Sequence, residues 1–162
     1  MAKRNGNGTD FFEERLRQFG VPDIIVPKLK IPKSHKKILR AFLRGENNLV
    51  VIGSSFYSIC VKLMRLRFLN HIHLSMLWLS QSSIDFNTVQ ILSTDRPDAI
   101  ALVNLYKPDS PHKKDLIGAF VNRSLRKQIR LLIGANSPTE LEEAFPYDLD
   151  SIENNFDIWK VE

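Results

Sequence analysis

The sequence predicts an α+β domain in which amphipathic helices pack on an antiparallel sheet. Two stretches, 34–44 and 111–133, carry apolar residues at three- and four-residue steps, the spacing of a helix that buries one face. Two extended stretches, IDFNTVQIL (84–92) and AIALVNLY (99–106), flank the turn-forming connection STDRPD and read as a hairpin. The chain has 162 residues, 43% hydrophobic and 25% charged, which fits one domain with a real core and excludes wholesale disorder.

In chain order, residues 1–9 (MAKRNGNGT) read as a mobile polar lead. A short helix follows, capped by Asp10 with Glu13 in capping-box position, its Phe12, Leu16 and Phe19 on one face and Gly20 at its end. Prolines 22, 27 and 32 forbid a helix through the next stretch, and KLKI reads as an extended edge segment. Ser34 opens the helix SHKKILRAFLR, which Gly45 closes. The run LVVIGSS reads as a short strand or helical turn leading into an apolar helix at about 55–69, and the period then changes to two from Ile72 to Trp78. Ser110 caps the long helix, Pro111 takes its first position, and Leu116, Ile117, Phe120, Val121, Leu125, Ile129, Leu132 and Ile133 form its apolar stripe up to Gly134. Ser137, Pro138 and Glu140 open a short helix, and Phe156, Ile158 and Lys160 alternate near the end.

Charge divides the chain into a mobile segment (1–9), a basic core domain (10–134) and an acidic segment (135–162). Residues 1–70 carry 14 Lys/Arg against 5 Asp/Glu, residues 71–134 carry 8 against 5, and residues 135–162 carry 1 against 8. On the first basic helix Lys36, Arg40 and Arg44 stand one turn apart with Lys37 beside them. On the long helix Arg123, Arg126, Lys127 and Arg130 fall within two turns with no acid between them. Such faces suit phosphate polyanions, because bound Lys and Arg release counterions. The acidic segment is expected either to bind the basic surface of another copy or to fold back and compete with an anionic partner; in the first case Phe156, Ile158 and Trp159 make the contacts between copies of a homo-oligomer.

Catalytic signatures are missing, and no enzyme activity or cofactor is expected. VVIGSS lacks the Gly-Lys-Ser/Thr of a phosphate loop and the further glycines of a dinucleotide fingerprint, so a helix cap explains it better. His71 and His73 would share a strand face, yet zinc needs three or four protein ligands and neither a second His pair nor Cys-x-x-Cys is present; no metal is expected. The lone Cys60, on an apolar helix, reads as a buried structural thiol in a reducing, intracellular setting. No secretory leader is apparent, and the apolar run from Phe56 to Leu79 is too interrupted by charge to span a membrane.

The extended Ile24–Ile31, the helix KKILRAFLR, the apolar helix Phe56–Leu69, the antiparallel strands ending in AIALVNLYKPD and the Pro-initiated helix resemble, in order and size, the matrix proteins of rhabdoviruses. That resemblance implies a self-associating structural protein of the virion and host cytoplasm or nucleus, one that bridges the nucleocapsid or RNA and an anionic membrane surface through the basic helix faces. The PPxY or PTAP budding motif of many such proteins is absent here. The alternative expectation is a discrete RNA-binding accessory protein, such as a viral silencing suppressor.

Overall fold

The structure, a computed structural model, describes residues 33–53, 56–69, 74–94 and 96–161. The readings of the lead, the 10–20 helix, the proline-rich stretch, His71 and His73 lie outside these residues. The described chain runs α1 (Lys33–Leu43), β1 (Asn48–Ile52), α2 (Phe56–Leu69), β2 (Met76–Ser80), a 3-10 turn (Gln81–Ser83), α3 (Phe86–Thr94) and β3 (Ala99–Val103). It continues through α4 (Pro111–Arg126), β4 (Arg130–Ala135), α5 (Pro138–Ala144), α6 (Leu149–Asn155) and β5 (Phe156–Lys160).

The five strands form one sheet in the order β2-β3-β4-β1-β5, and every neighbouring pair is parallel. The antiparallel α+β expectation is therefore corrected to an α/β arrangement with both faces of the sheet covered. Alternate strand residues divide between two cores. Leu49 and Val51 of β1, Ala99 and Ala101 of β3 and Leu132 of β4 pack under α1 and α2. Val50, Ile52, Ile100, Leu102, Leu131, Ile133 and Ala135 pack under α3 to α6. The chain steps from β1 to the β2 edge over one face and works back to β5 over the other, as right-handed crossovers require.

The expected hairpin fails because residues 86–94 are a helix. Asp85 caps it: its carboxylate accepts from the Thr88 amide (2.8 Å) and hydroxyl (2.9 Å), and the Val89 amide donates to the Asp85 carbonyl (3.1 Å). The long helix expected to reach Gly134 stops at Arg126. Gln128 takes the left-handed conformation (φ 58), its amide donates to Leu125 and that of Ile129 to Ser124, which is a Schellman closure with Gln where Gly usually sits. Ile129 to Ile133 then enter the sheet. α1 ends by the same pattern with the expected glycine: Gly45 (φ 78) donates to Phe42 and Glu46 to Ala41.

The Ser110 and Ser137 caps form as expected, their hydroxyls accepting from Lys113 (3.3 Å) and Glu140 (3.1 Å). The acidic segment folds back on its own chain: Ile152 and Phe156 are buried in the core beneath α4, and β5 pairs with β1. Among the described residues no helix is long and apolar enough to cross a membrane, and no group of three His, Cys, Asp or Glu could hold a metal. Cys60 is buried, and burial pushes its thiol pKa up to about 12, which leaves it unreactive.

Candidate functional site

Open α/β sheets hold ligands beyond the carboxyl ends of strands, where neighbouring strands send their connections to opposite faces. Here that point lies between β1, which leads to α2, and β4, which leads to α5. It is filled by the chain itself. The Gly53 amide donates to the Ala135 carbonyl (2.8 Å), and Val161 donates to Ile52 (2.8 Å). Gly53 is needed there (φ 144) because a Cβ would run into the Val161 carbonyl. The Phe56 ring lies directly over Gly134, 2.5–2.6 Å from where a Cβ would stand. On the β4 side the Asn136 amide donates to the Glu140 carboxylate (2.7 Å). These donors point at protein acceptors, and a carboxylate sits where a phosphate would need positive charge.

The cationic residues lie elsewhere, and the sheet separates the two sets expected from the sequence. On α1, Lys37, Arg40 and Arg44 are exposed and Lys36 is half-buried. On α4, Arg126 and Lys127 are exposed, while half-buried Arg123 donates to the Val89 carbonyl (3.3 Å) and lines the α3–α4 groove. Among the described residues Lys36, Lys37, Arg40, Arg44, Arg126 and Lys127 make no ion pair. Arg130 is not helical: it begins β4, and its guanidinium donates to the carbonyls of Phe42 (2.9 Å) and Leu43 (2.5 Å) at the end of α1. Burial lowers its pKa, and Asp98 nearby opposes that shift. This clasp draws the end of α1, with Arg40 and Arg44, to the same amino end of the sheet as Arg126 and Lys127.

Of the three residues expected to link copies, Phe156 is internal, 6% exposed. Trp159 packs against the core beneath α1 and α2, its ring 4.6 Å from that of His35 and edge-on to it. Ile158 is exposed on the edge strand β5.

The structure adds a site that sequence reasoning missed. Phe86, Val89, Gln90, His112, Asp115, Leu116, Ala119 and Arg123 line a groove of about 390 Å³ between α3 and α4. Phe86 is 62% exposed at its edge. α3 and α4 both run from the carboxyl to the amino end of the sheet, so the groove leads from Phe86 and His112 past Arg123 toward Arg126 and Lys127. An aromatic platform is thereby placed in line with cations more than thirty positions away in the chain, and no local pattern announces it.

No protein-family model matches this chain, and neither does any curated protein. Solved structures do. A DNA replication initiation factor matches at TM-score 0.58 and 10% identity, over 82% of this chain and 47% of its own. The replication initiator DnaA, solved bound to AMPPCP and single-stranded DNA, matches at TM-score 0.59 and 11% identity, over 94% and 51%. AMPPCP-bound DnaA from Aquifex aeolicus matches at TM-score 0.56 and 9% identity, over 82% and 48%. The chain thus spans about half the length of these structures. At such identities the likeness is one of fold. It overturns the rhabdovirus matrix reading, with its bridging function, and the silencing-suppressor alternative with it. That resemblance counted antiparallel strands among its points of likeness, and the strands here are parallel; the fold this chain shares is that of the structures above.

Proposed function

We propose that this protein is a non-enzymatic module that binds single-stranded DNA along the α3–α4 groove. The observation that carries the reading is the exposed Phe86 at one end of a groove that continues into Arg123 and the unpaired Arg126 and Lys127. Proteins that hold single strands without sequence preference combine an aromatic face for stacking with a cationic path for the backbone. A DnaA structure of the same fold was solved with single-stranded DNA, which supports a nucleic-acid partner. Two DnaA structures also carry AMPPCP, but the strand-end crevice of this chain does not suit a triphosphate. Phe56 covers Gly134, the Gly53 and Asn136 amides are engaged, and the Gly-Lys-Ser/Thr sequence is absent.

The test is fluorescence anisotropy with a labelled oligo-dT and a duplex of equal length, with and without ATP. Single-strand binding that weakens with salt and ignores ATP is expected. Equal or tighter binding of the duplex would overturn the single-strand assignment, and release of phosphate from ATP would overturn the non-enzymatic one.

A further inference from the structure

We infer that the amino end of α1, together with Lys62 of α2 and the Trp159 ring, forms a phosphate-binding site distinct from the proposed DNA groove. Lys62 is 8% exposed, unusual for a lysine, and among the described residues no group accepts a hydrogen bond or ion pair from its ammonium. His35, in the first turn of α1, has a buried Nδ1 with no hydrogen-bond partner. Trp159 stands edge-on to that imidazole at 4.6 Å and walls the site on the β5 side.

The electrostatics of the spot are one-sided. Burial first, then the Lys62 charge, hold the His35 pKa below its ordinary value, and burial also lowers that of Lys62. Lys33 and Lys36 share the first turn with His35, that turn contains no acid, and the positive end of the helix dipole points the same way. An imidazole nitrogen buried without a partner, beside a lysine, is unfavourable alone. A phosphate removes that penalty. It accepts from the Lys62 ammonium, draws a proton onto His35 so that Nδ1–H donates to it, and brings the two charges that several neighbouring cations can balance. A carboxylate brings one charge and matches the site less well. The site lies on the α1–α2 side of the sheet, so DNA binding at the α3–α4 groove can fail without bearing on it.

The chain has two tryptophans, and Trp78 lies on the far edge strand β2, so Trp78→Phe leaves Trp159 as the reporter. This variant is titrated with inorganic phosphate at constant ionic strength, with AMP and acetate in separate arms. A saturable change in Trp159 emission, with a rise in Tm, is expected for phosphate and lost or weakened about tenfold or more by Lys62→Met. If Lys62→Met does not fold, His35→Gln carries the same comparison. A response to AMP as well assigns a phosphate ester; a response to inorganic phosphate alone assigns the free ion. No saturable response in the parent, an equal response to acetate, or full binding in the variants would overturn the site.

Discussion

The guanidinium of Arg130 closes the last turn of α1, donating to Leu43 at 2.5 Å and Phe42 at 2.9 Å. A helix end leaves carbonyls without intrahelical donors, and a cation there also meets the negative end of the helix dipole. Arg130→Met keeps most of the apolar stem and deletes both bonds. Hydrogen bonds to a charged group contribute about 1.5–3 kcal/mol, so urea unfolding should show a loss of about 2–3 kcal/mol. An unchanged midpoint would mean that water replaces the clasp.

Phe56 and Gly134 form a second dependent pair, one on α2 and one on β4. A methyl at 134 would stand 2.5 Å from the Phe56 ring, closer than any real contact allows. Gly134→Ala should therefore cost about 1–3 kcal/mol by overpacking. Most of that cost should disappear in a Phe56→Ala background, where the new methyl enters vacated space. A double-mutant cycle in urea checks this, and a coupling below about 0.5 kcal/mol would refute the contact.

Those pairs also explain how much of the fold was legible. The starts of α4 and α5 could be read because Ser110 and Ser137 cap them in the usual way, and the end of α1 because Gly45 takes the left-handed position. The end of α4 could not, since Gln128 holds that position and offers no stop signal; an apolar run that continues through Ile129–Ile133 then looks like more helix. Strand direction was legible in principle. LVVI, AIALV and LLI are nearly unbroken apolar runs, the signature of strands covered on both faces in a parallel sheet, whereas a one-sided antiparallel sheet alternates. Asp85 and Thr88 likewise offered a capping pair that competed with the strand reading of 84–92. The candidate groove had no such signal, because Phe86 and Arg123 meet only once two crossover helices lie side by side.

Asp148 gives the fold a defined response to pH. It is 8% exposed, it precedes α6 without a side-chain cap bond, and its carboxylate lies against Gly118 on α4, 3.0 Å from where a Cβ would be. The nearby Lys114 sits over the Tyr147 ring, 5.5 Å from its centre. Burial raises the Asp148 pKa above its ordinary value. The folded state then holds this proton more tightly than the unfolded chain, so stability falls as pH rises from the ordinary carboxylate pKa through the raised one. Asp148→Asn should remove that slope and stabilise the protein at neutral pH. Urea unfolding of both proteins from pH 4 to 7 checks it, and parallel curves would refute it.

Phe86 and the Arg126–Lys127 pair should contribute to DNA binding in separable ways. Phe86 is exposed and stacks without regard to charge, so Phe86→Ala should weaken oligo-dT binding by about 1–3 kcal/mol, roughly 5- to 150-fold, and leave the salt slope alone. Arg126→Ala with Lys127→Ala removes two charges that make no ion pair among the described residues. For single strands each lost phosphate contact flattens the slope of log K against log salt by about 0.7, so the double variant should lose about 1.4 of slope. Its folding stability should hold, since exposed cations free of ion pairs contribute little to it. Anisotropy titrations at three salt concentrations separate the two effects. If Phe86→Ala changes the slope, or the double variant does not, the strand does not follow the groove from its aromatic end to its cationic end.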